Sequence, residues 1–139
     1  MIVLDTNVIS ELARPAPSND VVAWVDLLGD VTVTATTVAE LLYGVARLPD
    51  GVRKVRLAEA VGQMIDERLA GNVLAFDRAA ASHYAEIVAA RDRSGRPIGV
   101  ADAQIAAICR AQKATLATRN VSDFMGTGVT VVNPWDAAG

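Results

Sequence analysis

Short apolar runs alternate with longer amphipathic segments along this chain of 139 residues. Each run is three or four residues long, which is typical of strands buried on both faces. The runs are Ile2–Leu4, Val31–Thr34, Val73–Phe76, Thr115–Ala117 and Val129–Val132. Strands that alternate with helices form β–α–β units, so we expect a parallel sheet inside a three-layer α/β/α fold.

The intervening segments carry apolar residues at helical spacing and end at turn-forming residues. No repeat, low-complexity tract or linker interrupts them, so we expect one domain over residues 1–139. Ser18 and Asp77 are predicted helix caps. The predicted helices are Asn7–Ala13, a segment from Ser18 to near Gly29, Thr37–Leu48, about Asp50–Leu69, Asp77 to about Arg93, Val100–Gln112, and a turn over Val121–Met125.

Four carboxylates stand where a predicted strand ends or a helix begins: Asp5, Glu40, Asp102 and Asp123. The carboxyl ends of parallel strands share one edge of a sheet, so these side chains should converge there. Closely spaced carboxylates repel one another, and oxygen ligands suit Mg²⁺ or Mn²⁺. A divalent ion bound there could activate water toward a phosphodiester, which predicts a metal-dependent phosphodiesterase.

Each carboxylate also has a purely structural interpretation. Asp5 could cap the following helix, and Glu40 could close a capping box with Thr37. Asp102 could be an exposed acid that interacts with a helix dipole, and Asp123 could pair with a cap at Asn120. The competing hypothesis is therefore a non-catalytic α/β binding module.

Other polar groups surround the predicted metal ligands. We expect Thr6, Asn7, Thr118 and Asn120 to orient the acids or hold water. Arg119 could contact phosphate or lie exposed on the surface. Zinc is disfavoured, since His83 and Cys109, the one histidine and the one cysteine, are not at ligand spacing.

Composition bears on which partners the protein can bind and on which cellular compartment suits it. Net charge is −3, but setting aside the four acids leaves +1, and 11 of the 13 basic residues are arginine, which suits forked phosphate contacts. The basic runs Arg53–Arg56 and Arg91–Arg96 could be solvated helix faces or could face nucleic acid. No apolar stretch is long enough for a membrane span, the start has no signal peptide features, and a single cysteine suits a reducing cytoplasm.

Three segments resemble the PIN-domain ribonucleases, and are most similar to the toxins of VapBC-type toxin–antitoxin pairs. They are LDTNVISEL at the start, TVAELLYGV around Glu40, and ADAQIAAICRAQKATLATRNVSDF from Ala101 onward. The resemblance implies a five-stranded parallel sheet flanked by helices. It also implies an Mg²⁺ or Mn²⁺ site made by Asp5, Glu40, Asp102 and Asp123.

The same resemblance implies an endoribonuclease that cuts RNA, often tRNA or ribosomal RNA, through a metal-activated water. It further implies a homodimer and a cognate VapB-type antitoxin whose C-terminal segment covers the active site. Family members insert an antitoxin arginine among the acids, which is chemically reasonable because a guanidinium can replace the charge of the metal. The apolar residues within 38–69 are the candidate dimer and antitoxin surfaces.

Two rival α/β classes fit less well. A phosphoacceptor receiver domain needs a lysine after the fifth strand, and no lysine follows Lys113. A haloacid-dehalogenase-like phosphatase needs a second aspartate two residues after Asp5, where Asn7 stands instead.

Overall fold

In the computed structural model, which describes residues 1–69 and 71–136, five strands alternate with six α-helices. The strands are β1 (Ile2–Leu4), β2 (Val33–Thr34), β3 (Val73–Leu74), β4 (Thr115–Ala117) and β5 (Thr130–Val132). All the strand pairings are parallel, as the alternation predicts.

The helices follow the predicted order with small shifts at their ends. They are α1 (Thr6–Leu12), α2 (Asn19–Asp26), α3 (Ala35–Ala46), α4 (Val52–Gln63), α5 (Arg78–Arg93) and α6 (Val100–Ala111). A π-helical turn, Met64–Arg68, extends α4, and a 3₁₀ turn, Val121–Phe124, lies between β4 and β5.

The strands form two ladders rather than one continuous five-stranded sheet. The main sheet has the order β1–β4–β5, and β2 pairs separately with β3. A single bridge between Val3 and Thr32 joins the two ladders, with the Leu4 amide donating to the Thr32 carbonyl at 2.8 Å. The prediction of one five-stranded sheet is wrong in this respect, since the main sheet has three strands.

The break between the ladders follows from where the chain turns into helices. Asp5 caps α1 directly after β1, and Thr34 caps α3 directly after β2. Both strands are therefore short. Thr32, just before β2, forms a bridge with Val3 of β1, whereas Val33 and Thr34 of β2 pair with β3. Val33 already donates its amide to the Asn72 carbonyl, on the β3 side.

The predicted caps mark the starts of two helices correctly, but the predicted start of a third helix is wrong. The Ser18 and Asp77 side chains accept hydrogen bonds from the amides of Val21 and Ala80, so both predicted caps are confirmed. The predicted start of α3 at Thr37 is wrong. Thr34 is the cap instead, and its hydroxyl accepts from the Thr37 amide at 3.1 Å.

The long helix predicted over residues 50–69 is not uniform. It begins at Val52, after Gly51, and widens at Met64 into the π turn. The Leu69 amide then reaches back five residues to the Met64 carbonyl, and the Leu69 side chain is fully buried. Gly71, the predicted stop, has φ +87°, a conformation that favours glycine.

The core lies on both faces of the main sheet. Val3 and Leu116 pack against α5 and α6, whereas Leu4 and Ala117 pack against α1 to α4 on the opposite face. Neighbouring residues of a strand point to opposite faces, so both faces are covered by helices and the three-layer arrangement follows. Within the described residues, no helix combines the length and apolar character needed to cross a bilayer.

Candidate active site

Asp5 is a buried carboxylate at the carboxyl end of β1, with 4% of its surface exposed. Its Oδ1 accepts from the Thr6 amide at 2.8 Å, so Asp5 is the cap of α1. Its Oδ2 accepts from the Thr118 hydroxyl at 2.7 Å and from the Asn7 side-chain amide at 3.3 Å. Capping therefore uses one oxygen of the carboxylate and leaves the other to face the next strand.

Strand register brings Thr118 to Asp5. Leu4 pairs with Ala117, and the Asp5 amide donates to the Ala117 carbonyl at 2.9 Å. Thr118, fully buried, is thus the next residue along the neighbouring strand. Its hydroxyl oxygen also accepts from the Asn7 side chain at 3.2 Å and from the Asn120 amide at 3.1 Å.

Glu40 reaches this edge from α3. Its Oε1 accepts from the Thr6 hydroxyl at 2.7 Å. The Thr6 hydroxyl also lies 3.1 Å from that of Thr37, which is 3.3 Å from that of Thr34. Because Thr34 caps α3, the capping box proposed for Thr37 and Glu40 does not form, and Glu40 is joined to the polar edge instead.

Asp102 lies in the first turn of α6 and is half-buried. Burial is the largest cause that raises its pKa to about 6, and the charges of Asp5, Asp123 and Glu40 raise it further. Burial also raises the pKa of Asp5, with smaller contributions from Glu40 and Asp123, against the hydrogen bonds from Thr118 and Thr6. The charges of Glu40 and Asp123 therefore act on both Asp5 and Asp102.

Asp123 is held differently from the other three. It is exposed on the 3₁₀ turn, and Asn120 makes no side-chain cap there, so the alternative in which this pair forms a capping box is wrong. The Asp123 main-chain carbonyl accepts from Arg91 Nη1 at 2.9 Å. Its backbone, rather than its carboxylate, is anchored.

Arg91 anchors the turn that carries Asp123, a position that the sequence analysis does not assign to it. It belongs to the basic run that could be a solvated helix face or could face nucleic acid, yet it is buried, with 7% of its surface exposed. Nε donates to the Arg96 carbonyl at 2.6 Å, and Nη1 also donates to the Met125 carbonyl at 3.1 Å. A signal was available, since Arg91 continues the helical spacing of the buried residues Ala80 and Ile87 on α5.

Three of the four acids line one cleft of about 480 Å³. Asp123 is not part of its lining, although its charge acts on Asp5 and Asp102. The cleft also contains four further polar or aromatic side chains that carry charge or can stack: Glu11, Arg14, Arg119 and Trp135. Thr6, Asn7 and Asn120 line it as well, whereas Thr118 lies buried behind Asp5.

The donor chemistry of the cleft suits a hard cation. Its candidate ligands are carboxylate oxygens, which Mg²⁺ and Mn²⁺ prefer, and Mg²⁺ keeps several of its waters when it binds. Among residues 1–69 and 71–136, no three His, Cys, Asp or Glu side chains stand close enough to enclose an ion directly. The acids thus fit an ion held partly through water or drawn together when it binds.

Neither zinc-type residue is placed to contribute. Cys109 is fully buried in α6, and burial raises the pKa of its thiol to about 12, so the thiol stays protonated at neutral pH. His83 lies on α5, and its Nδ1 atom is buried with no hydrogen-bond partner among the described residues. Neither residue lines the acidic cleft.

Comparison with known proteins finds relatives that match nearly the whole chain. Toxin FitB from Neisseria gonorrhoeae is 46% identical over 97% of this chain and 99% of its own length. The VapC ribonuclease Y4jK from Sinorhizobium fredii is 42% identical over 99% of this chain and all of its own length. The crystal structure of FitAcB from Neisseria gonorrhoeae superposes with a TM-score of 0.87 at 46% identity, covering 98% of this chain and 99% of that one.

The PIN domain family matches residues 2–124, a span that contains the strands β1 to β4, all six α-helices and all four acids. Because that match covers most of the chain and the relatives align over nearly their full lengths, the chain belongs to the PIN-domain family.

Proposed function

We propose that this protein is a divalent-metal-dependent endoribonuclease that acts as the toxin of a type II toxin–antitoxin pair. The observation that carries the proposal is the cleft in which the buried Asp5 faces Glu40 and Asp102. Burying a carboxylate without a cationic partner is costly, and here its contacts are neutral donors and its neighbours are acids. Relatives named as a toxin and as a VapC ribonuclease support the same activity.

Asp5, Glu40 and Asp102 would hold Mg²⁺ or Mn²⁺, with Asp123 as a fourth acid acting through water. When bound, the ion supplies a water of lowered pKa and positive charge near the phosphodiester oxygens. The chain's own residues prepare for that ion by fixing the acids. Thr118 and Asn7 orient Asp5, and Thr6 orients Glu40.

The raised pKa of Asp102, which burial and the neighbouring acids cause, shows how unfavourable the clustered negative charges are without a cation. A group with a pKa near 6 changes protonation close to neutral pH. With the ion present Asp102 is held ionised as a ligand, so the elevation belongs to the metal-free cleft. The cleft is thus an unfavourable arrangement of anions that a cation relieves.

A partner protein that covers the cleft is the second part of the proposal. Exposed apolar residues occur along α3 and α4, namely Leu42, Tyr43, Val52 and Val55. A groove of about 670 Å³ beside them is lined by residues of α4 and by Ala13 and Pro15, which follow α1. We propose that a cognate VapB-type antitoxin and a second copy of this chain cover these surfaces in the cytoplasm, and that the antitoxin's C-terminal segment reaches the acids.

The test is cleavage of RNA by the purified free protein. Total bacterial RNA, including tRNA and ribosomal RNA, is incubated with the protein in Mg²⁺, in Mn²⁺ and in EDTA, and new 5′ and 3′ ends are mapped. We expect discrete internal cuts that need the metal and that stop on addition of the cognate VapB-type antitoxin. Cuts that persist in EDTA would contradict the metal requirement, and no cuts in any RNA pool would favour a non-catalytic binding module.

A further inference from the structure

The same cleft that holds the acids carries an arginine stacked on a tryptophan. The Arg119 guanidinium carbon lies 4.8 Å from the centre of the Trp135 ring. Both residues line the cleft, together with Asp5, Glu40 and Asp102. An exposed cation that is held on an indole face in the lining of an acidic site can meet an anionic ligand.

The backbone on both sides of this pair is fixed by hydrogen bonds. The Arg119 amide donates to the Asn7 side-chain oxygen at 3.1 Å, next to the Thr118–Asp5 contact. The Trp135 amide donates to the side-chain oxygen of Asn133 at 2.9 Å, in the turn that follows β5. Trp135 is half-buried against the apolar core around α1 to α4, so its ring is a rigid platform.

Arg119 is less engaged than the other arginine in the cleft, since its charge is only the smallest of the causes that lower the pKa of Glu11. Arg14 pairs with Glu11, at 3.2 and 3.4 Å to the two carboxylate oxygens. Within residues 1–69 and 71–136, Arg119 forms no salt bridge. Because its face is stacked on Trp135, the N–H groups at the edge of its guanidinium can form a forked contact with phosphate.

We propose that Arg119, held on Trp135, is the site that binds a backbone phosphate of single-stranded RNA beside the bond to be cut. The inference rests on the proposed function and deepens it by naming a substrate contact outside the acids. An acidic cleft repels an anionic strand, so a cation held among its lining residues favours entry of the strand beside it. The exposed rim of the Arg119–Trp135 pair also offers a surface on which a neighbouring base can stack.

The experiment measures binding in EDTA, where the proposed metal-dependent cleavage cannot occur. A fluorescein-labelled single-stranded RNA is titrated with the full chain and its variants at several salt concentrations. Removing one phosphate contact should lower the slope of log affinity against log salt by about 0.7 and weaken binding by about tenfold for Arg119→Ala. The matched control is Arg68→Ala, which removes an arginine that pairs with Asp26 and does not line the cleft.

Conservative variants separate the two members of the pair. Arg119→Lys should keep the salt slope but weaken binding, because lysine keeps the charge and loses the fork. Trp135→Phe should bind almost as well as the wild type, while Trp135→Ala should weaken binding about three- to tenfold by freeing Arg119. Trp135→Phe keeps a ring in the core, so the test does not depend on Trp135→Ala folding.

A direct reading comes from fluorescence of Trp135. Only Trp24 and Trp135 are tryptophans, so Trp24→Phe leaves Trp135 as the sole reporter, and RNA should change its emission. An unchanged salt slope in Arg119→Ala, or Trp135 emission unaffected by saturating RNA, would overturn the proposal. So would Arg119 variants that lose binding to the antitoxin while keeping RNA binding. Cleavage activity enters none of these readings, so failure of the proposed catalysis is distinguishable from failure of this contact.

Discussion

Asp5 and Asp123 are two acids of one electrostatic cluster that the fold holds in opposite ways. Asp5 is buried, and both of its carboxylate oxygens accept hydrogen bonds. Asp123 is exposed, and Arg91 holds its main-chain carbonyl rather than its carboxylate. A site built this way has one fixed carboxylate and one whose side chain can move on a fixed backbone.

Asp5 and Asp123 therefore differ in how freely their carboxylates can move. A carboxylate whose both oxygens are engaged keeps one orientation, so Asp5 defines where a cation would bind. A carboxylate on an anchored turn can adjust to a substrate or a water without disturbing the core.

The largest effect is expected from Asp5→Asn. Losing the fixed charge should reduce RNA cleavage more than about 100-fold, because a direct ligand should matter more than its supporting contacts. Asparagine can still cap α1, and removal of one clustered anion relieves repulsion, so the protein should be as stable as the wild type or slightly more so. Cleavage rates in Mg²⁺ measure the first effect, and melting temperatures in EDTA measure the second.

The control for this variant is Asp50→Asn, which removes a fully exposed acid paired only with Lys54 at 3.6 Å. It should leave cleavage unchanged. An Asp5→Asn protein that cut RNA at the wild-type rate would remove Asp5 from the site.

Arg91→Met should release the turn that carries Asp123. This change removes the donors of three part-buried hydrogen bonds, to the main-chain carbonyls of Arg96, Asp123 and Met125. We expect a loss of about 2–4 kcal/mol in the free energy of unfolding, measured by urea denaturation. Cleavage should fall as well, because the turn that carries Asp123 is no longer anchored.

Arg91→Lys serves as the companion variant. Lysine keeps the positive charge but lacks the planar fork, so it should recover only part of the stability. Full recovery by lysine would mean that charge alone, rather than the three directed bonds, positions Asp123.

Thr118→Val removes the hydroxyl that orients the Asp5 carboxylate. Valine is close in shape to threonine but cannot donate to Asp5 Oδ2. We expect a cost of about 1–3 kcal/mol in stability and a ten- to 100-fold loss of cleavage. Thr36→Val is a matched control, since the Thr36 hydroxyl donates to Gln104 rather than to an acid of the site. Equal losses in the two variants would argue against a role for Thr118 in orienting Asp5.

The smallest effect concerns the pH dependence of the metal-free protein. The pKa of Asp102 rises from 3.8 to about 6 on folding, so the folded state binds more protons than the unfolded state between these values. Stability should therefore be highest below pH 3.8 as far as this group is concerned, and should fall as the pH rises to about 6. Because Asp102 is only half-buried, we expect a contribution of about 1 kcal/mol.

Asp102→Asn should remove that part of the slope, as urea denaturation in EDTA from pH 4 to 7 would show. The exposed variant Asp50→Asn should retain the slope. Adding Mn²⁺ should raise the melting temperature of the wild type more than that of Asp102→Asn. Identical metal responses would contradict a role for Asp102 in binding the ion.

Sequence reasoning identified the parallel α/β fold because strand length, helical spacing and cap chemistry are local properties. Ser18 and Asp77 were found this way, since a cap needs only its own side chain and an amide three residues on. The split of the sheet at Thr32 was not found. It depends on how soon two separate strands turn into helices, which becomes visible only when β1 and β2 lie side by side.

In the candidate site too, features that depend on local sequence could be predicted, and features that depend on tertiary contacts could not. Placing Asp5, Glu40 and Asp102 at one edge followed from strand and helix ends, and these three residues line one cleft. Arg91 was misassigned because a charged residue near the end of a helix normally faces solvent. Its acceptors lie up to 34 residues away, and no local pattern could identify those carbonyls.

The double use of the Asp5 carboxylate has a consequence for genetics. The same side chain starts a helix and faces the acidic cleft, so most replacements at this position would impair folding and reactivity together. In a selection for cells that survive expression of this gene, such alleles would accumulate for two unrelated reasons. Asparagine, which can still begin the helix, is the allele whose recovery would report on chemistry alone.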